Sequence, residues 1–352
     1  MRRFVPSCLV IALLAGAAPA ARAQDLALSS LPWPAPELPL AFATSADAPS
    51  VQLIGTRTRH TRRVERARVG PVAEVPLVDG WAPASWPAPP APRAGALLPS
   101  SRIIAAYGHP ASTRMGILGS VAPGRLEDSL AALVSQWRRA DSTRETVGAL
   151  HLIATVAQGA PGADGRYRLR HPAAVIDRVV ARARARGWIT FLDVQPGLAP
   201  LGPEVDRLMP WLAAPDVHLA IDPEFAMADG HRPGHRIGTL DAATINPVLA
   251  RLARLVDSLG LPPKVVVIHR FTGPMLTNEH ALLRDPAVQL VIEMDGWGTP
   301  ALKRATYKDV ITRRPVQYTG FKLFTTARHD GTPMAPEAVL RLRPVPLYIQ
   351  YQ

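Results

Sequence analysis

Cysteine is nearly absent. Its one occurrence, Cys8, lies ahead of the short apolar stretch Leu9 to Ala15. A lipid-anchored cysteine would follow such a stretch, so a lipid anchor is not expected. Arg2 and Arg3 before the stretch and Ala21-Arg22-Ala23 after it form a secretory leader pattern. It predicts cleavage after Ala23, a mature start at Gln24, and a periplasmic or secreted location. The stretch is too short and too alanine-rich to span a bilayer, so the mature chain is expected to carry no transmembrane segment. Beyond Ala23 there is no cysteine, which excludes disulfides, thiolate nucleophiles, zinc–thiolate sites and iron–sulfur clusters.

Acidic residues are in the minority, 28 against 40 Lys and Arg, for a formal charge of +12. Arg2, Arg3 and Arg22 supply three of these charges and leave +9 after cleavage. Such a balance suits contact with anionic envelope polymers. Nucleic acid is not expected as a partner, because no helix-turn-helix, finger or aromatic RNA-binding signature is found. No Gly-rich phosphate turn follows the first strand either, where the sequence reads Tyr107-Gly108-His109-Pro110.

Proline is abundant instead, above all between Pro32 and Pro92. Its density breaks every long periodic pattern, so residues 24–100 read as an extended Pro/Arg-rich segment, largely disordered. Arg57, Arg59, Arg62, Arg63, Arg66 and Arg68 cluster within it; they are a candidate contact for an anionic surface. Val72 to Trp86 is a candidate ordered extension along the domain.

From Ser101 onward, apolar runs of strand length alternate with amphipathic segments of helix length. Strands are expected near residues 102–108, 149–157, 188–194, 217–221, 264–270, 288–294, 319–325 and 346–351. Helices are expected near 125–140, 172–186, 204–213, 241–259, 278–284, 301–312 and 336–342. Strand–helix alternation demands parallel pairing and right-handed crossovers, and eight units close a barrel. The expected fold is therefore a (β/α)8 TIM-type barrel over 101–352 with its eighth helix missing and part of residues 70–100 covering the exposed side. Residues 1–23 are the leader and 24–100 the extension.

Active sites of such barrels lie at the C-terminal strand ends. The polar residues there are Tyr107 and His109, Thr155 and Gln158, Asp193 and Gln195, Asp222 and Glu224, His269 and Arg270, Glu293 and Asp295, Lys322, and Tyr348 and Gln350. Several charges closing apolar runs at one end of a core imply a shared polar cavity, since an unpaired buried charge is costly. Asp222 and Glu224, two apart, project to the same face if the strand continues through them. Two carboxyls held close cannot both ionise freely, which raises one pKa and creates an acid for glycoside cleavage. Trp297, Tyr107, Phe271 and Trp211 are candidate platforms for sugar rings. The connection from Ala226 to Leu240, with His231, Arg232, His235 and Arg236, is a candidate lid.

Apolar strands that end in Asp-x-Glu at the fourth position resemble those of secreted (β/α)8-barrel glycoside hydrolases, chitinase-like and muramidase-like. The likeness covers Arg102 to Gln352 and extends to exported bacterial barrel proteins without an assigned activity. It implies Glu224 as general acid and Asp222 as its orienting partner. The chain departs from the chitinase pattern at Val217 and Ala220, where further aspartates would stand. The leading expectation is an exported hydrolase of envelope or extracellular polysaccharide. Its catalytic residues would be Glu224, Asp222, Asp193 and Asp295, its substrate contacts Tyr107, His109, Gln195, His269, Glu293, Trp297 and Lys322, and it would need no cofactor or metal. One alternative is a metal-dependent hydrolase using His109, Asp193, Asp222, His269 and Asp295, although no His-x-His or HExxH occurs. The other is a non-catalytic carbohydrate-binding barrel on the envelope.

Overall fold

The computed structural model describes residues 89–326 and 329–352. The leader, the Arg57–Arg68 cluster and the Val72–Trp86 extension lie outside the described residues. Eight parallel strands form a closed barrel: β1 (Ser101–Gly108), β2 (Glu145–Ala157), β3 (Ile189–Val194), β4 (Val217–Ile221), β5 (Lys264–Arg270), β6 (Val288–Met294), β7 (Tyr318–Leu323) and β8 (Tyr348–Tyr351). Pairing runs in chain order, and β8 returns to β1 through Ile103↔Tyr348 and Ala105↔Gln350. Helices alternate with the strands, so the chain folds as a (β/α)8 barrel. The strands are buried along nearly their whole length on both faces, which is why they read as unbroken apolar runs.

The crossovers follow local sequence. Helix α1 (Arg125–Ala140) buries Leu126, Leu130, Val134 and Trp137, spaced to share one face. Helix α2 (Ala173–Arg184) buries Ile176, Val179, Val180 and Ala183. Helix α3 (Ala242–Leu259) starts at Asp241, whose side chain accepts from the Ala243 amide at 2.9 Å. It stops at Gly260, which takes the left-handed conformation (φ 61°) that glycine adopts without strain. Helix α4 (Pro300–Tyr307) runs on into a π-helical turn over Lys308–Thr312.

Two expectations need correction. Residues 278–284 form only a 3-10 turn at Glu279–Ala281; Asn278 takes a left-handed conformation (φ 54°) that cannot enter a helix. Strand β2 begins at Glu145, four residues early. Its register shifts between Ile153 and Thr155, beside an added antiparallel strand, Arg168–Arg170. Of the segment expected to cover the exposed side, residues 70–88 lie outside the described residues, and Pro89–Ser100 packs at the N-terminal mouth. Leu98 is wholly buried among interior residues of the barrel, and its backbone exchanges two hydrogen bonds with the Gln289 side chain, at 3.2 and 2.6 Å. Helix α1 reaches β8, where Trp137 Nε1 donates to the Tyr351 hydroxyl at 2.9 Å.

Candidate active site

Strand parity decides which side chains enter the barrel. Going up the strands, Ile103, Ala149, Phe191, Ala220, Val267 and Val291 fill its lower interior. Above them, and above Ala105 on β1, the inward positions turn polar together: Tyr107, His151, Asp193, Asp222, His269, Glu293, Lys322 and Gln350, all buried. The ladder explains the clustering, because His151 stands beside Phe191, Tyr107 pairs with His151, His269 with Glu293, and Lys322 with Gln350. On β7 the position beside Glu293 is Gly320. A Cβ there would lie 3.1 Å from both Glu293 Cβ and Tyr348 Cδ1, so the missing side chain makes room for two site residues.

His269 is the hub. Its Nδ1 lies 2.9 Å from Glu293 Oε2 and 3.0 Å from Asp295 Oδ2, between the two carboxylates and aligned with neither. Its Nε2 lies 3.6 Å from Asp193 Oδ2, which is 3.7 Å from His151 Nε2. Those two separations are too long for hydrogen bonds. The Nδ1 of His151 meets the Tyr348 hydroxyl at 2.5 Å and Gln350 Nε2 at 3.1 Å. Lys322 Nζ sits 3.0 Å from Asp295 Oδ1 and 4.3 Å from the Tyr107 ring centre. Gln195 accepts from the Ala157 amide and donates to Asp222 Oδ2 at 3.2 Å.

These contacts sort the charges. Burial disfavours every ionised form, but Asp193, Glu293 and Asp295 around His269 outweigh it and hold the imidazole protonated, well above its usual range. Burial likewise opposes the Lys322 charge, and Asp295, Glu293 and Asp222 overcome it. Against these two cations, Asp193 and Asp295 are held below the carboxylate range, burial being outweighed chiefly by His269 at the first and Lys322 at the second. With two cations balanced by two anions, the other carboxyls shift upward. Burial raises Asp222 and Glu293 despite the opposing pull of His269. Burial, then Asp222 and Asp295, raises Glu224 well above the ordinary glutamate value. His151, pushed down to about 4 by burial, is neutral.

Asp222 and Glu224 approach each other, but not by strand parity. Strand β4 ends at Ile221, and Asp222 caps a 3-10 turn over Pro223–Phe225, its Oδ1 accepting from the Glu224 amide at 3.0 Å. Pro223 cannot donate to the ladder, and that ends the strand. The Glu224 carbonyl accepts from the Gly238 amide at 2.6 Å, so the Ala226–Leu240 connection fastens this turn. Further along that connection, Arg232 donates to the Gly159 carbonyl and lies over Tyr167.

The structure brings together Tyr107, Asp193, Gln195, Asp222, Glu224, His269, Glu293, Asp295 and Lys322. It does not bring in His109, which packs on His171 at 4.4 Å between ring centres and accepts from the Ala111 amide. Burial lowers the pKa of both imidazoles. Thr155 is contacted by Arg207, and Trp211 donates to Asp177 on α2, so neither joins the site. Trp297 is half-buried against His329, 5.8 Å between ring centres. Tyr348 and Gln350, strand-end candidates, also join the centre, and His151 is the member that no strand-end pattern selects. His151 lies in the middle of β2, and only knowledge of which face looks inward would have found it. Surface hollows along α1 and between Pro92–Ser100 and Thr143–Arg144 contain none of these residues. The side chains of the centre are buried, with Glu224 half-buried at its edge.

Fold and site together define a (β/α)8 barrel with a buried imidazole–carboxylate–lysine centre at its C-terminal mouth. No family model and no curated protein matches the chain.

Proposed function

We propose that this chain is an exported hydrolase that cleaves glycosidic bonds of an envelope or extracellular carbohydrate, with Glu224 as general acid. One observation carries the reading: Glu224 is a carboxyl that keeps accessible surface at the edge of the centre, beside the buried Asp222. A group so placed meets substrate at the mouth while the cluster behind it tunes its proton affinity. Glu224 gives its proton to the leaving oxygen as the carbon–oxygen bond breaks. Water adds hydroxide to the anomeric carbon, and its proton restores the acid. Asp295, kept ionised by Lys322 and His269, supplies negative charge for the oxocarbenium-like transition state. Asp222 is positioned by Gln195 and tunes Glu224, and the charge of Asp193 favours the His269 cation. Because the side chains of the centre are buried, bonds presented at the mouth fit better than the middle of a deeply bound polymer.

The test is turnover of aryl glycosides and envelope polysaccharides by wild type and Glu224→Gln. A loss of about 10²–10⁴-fold with binding retained is expected. Wild-type activity should be full below the raised Glu224 pKa and fall as pH rises through it, a limb the variant lacks. Equal rates in the two proteins would remove Glu224 from the mechanism. The export half of the proposal rests on the leader pattern. It predicts Gln24 as the first residue of exported protein on N-terminal sequencing, and Met1 found there would refute it.

A further inference from the structure

We infer that His151, Asp193 and His269 form a binding site for one divalent first-row transition-metal ion. The three side chains come from β2, β3 and β5, and their ligand atoms all lie within 4.8 Å of one another. All three are wholly buried. Both imidazole Nε2 atoms and both Asp193 oxygens lack a hydrogen-bond partner. Three of these orphaned atoms, the two imidazole nitrogens and Asp193 Oδ2, converge on one volume and need an explanation, since each leaves desolvation uncompensated. Direct hydrogen bonding between imidazole and carboxylate does not supply one, because Asp193 Oδ2 is 3.7 and 3.6 Å from the two nitrogens. These are near the separations of ligands around an ion. Bonds of about 2.0–2.1 Å in tetrahedral geometry put ligand atoms about 3.3 Å apart. A contraction of a few tenths of an ångström brings both Asp193–imidazole separations to that value, and the two imidazole nitrogens already lie within 4.8 Å of each other.

The far side of each ring fits the same reading. A ligating imidazole ordinarily has its second nitrogen held by a carboxylate or another polar group, which fixes the tautomer and turns the free nitrogen toward the ion. Nδ1 of His269 lies 2.9 and 3.0 Å from the Glu293 and Asp295 carboxylates, close to both and aligned with neither, and Nδ1 of His151 meets the Tyr348 hydroxyl. Phe191 stacks on His151, and Tyr107 packs edge-on to both imidazoles. A wall of this kind restricts solvent at the centre. Two imidazoles and one carboxylate, with no thiolate, suit zinc and equally ferrous iron. Coordination displaces the proton that the ion-free centre keeps on His269, and the charge of the ion takes its place beside Asp193; Glu224 is not a ligand, and an acid-catalytic Glu224 needs no ion.

The experiment uses the purified full chain, stripped with chelator. It is titrated with Zn2+ and, without oxygen, with Fe2+, following heat and elemental content, and with Co2+, following the visible spectrum. One ion per chain is expected, with the tighter of Zn2+ and Fe2+ naming the preferred metal. Asp193→Asn and His151→Gln should each weaken binding by at least about 100-fold, and Tyr348→Phe, a positioning change, by about 10-fold. His109→Gln and Glu224→Gln should bind as wild type. Circular dichroism checks each fold. Absence of a stoichiometric ion in folded wild-type protein would overturn the inference, as would unchanged affinity in folded Asp193→Asn or His151→Gln. If those two variants do not fold, Tyr348→Phe decides: a Co2+ spectrum and affinity identical to wild type would place the ion elsewhere.

Discussion

Arg102 is wholly buried at the start of β1, where a lone guanidinium would be costly. Asp141, just past α1, answers it with Oδ2 at 2.8 Å from Nη2, and the guanidinium lies 5.6 Å from the Trp137 ring centre. Burial tends to raise the Asp141 carboxyl, but hydrogen bonds from Thr143 and Arg102 dominate and bring it to about 2. A folded pKa below the unfolded one contributes stability that is fully present above about pH 4. That contribution is lost as pH falls toward 2. Asp141→Asn should therefore destabilise by about 3 kcal/mol at neutral pH, because it leaves Arg102 without its counter-charge. Urea unfolding measures this, and the gap to wild type should narrow below pH 3. A gap that stays constant with pH would assign the loss to something other than the ion pair.

At the scale of elements, β7 shows how one strand serves its neighbours. Gly320 stands level with Glu293 on β6 and Tyr348 on β8. Both flanking side chains are wholly buried and neither can swing into solvent. Gly320→Ala should cost about 1–3 kcal/mol by overpacking, read from the shift in urea midpoint. A neutral or stabilising result would mean that Glu293 and Tyr348 yield more easily than their burial implies. The turn after β4 is a second case. Pro223 ends the strand, the Asp222 cap closes a 3-10 turn, and the amide of Gly238 holds it. Alternation along an extended strand therefore mispositions Glu224 in principle, although the turn delivers it to the edge of the same centre.

For the whole molecule, closure of the sheet matters most. Eight strands ending at one rim bring residues from Tyr107 to Gln350 into one buried volume. Leu98 seals the opposite mouth, and among the described residues no helix is long and apolar enough to cross a membrane. The described architecture therefore leaves one polar centre at the catalytic end expected of such barrels.

The sequence by itself determined the eight strands, because their two buried faces require unbroken apolar runs. It determined the capped ends of α3, where Asp241 and Gly260 act locally. It also exposed Asp193, Asp222, His269, Glu293, Asp295 and Lys322, because each interrupts or closes an apolar run with a charge. Only the tertiary structure decided which polar residues face inward together. In a strand buried on both faces, alternation does not say which face looks inward, so His151, although it interrupts an apolar run, could not be assigned to the centre. Likewise, nothing local told that Thr155 would turn outward past the shift in β2, that Trp211 would meet α2, or that His109 would pair with His171. Those outcomes depend on register and contacts between segments far apart in the chain, which local propensities do not encode.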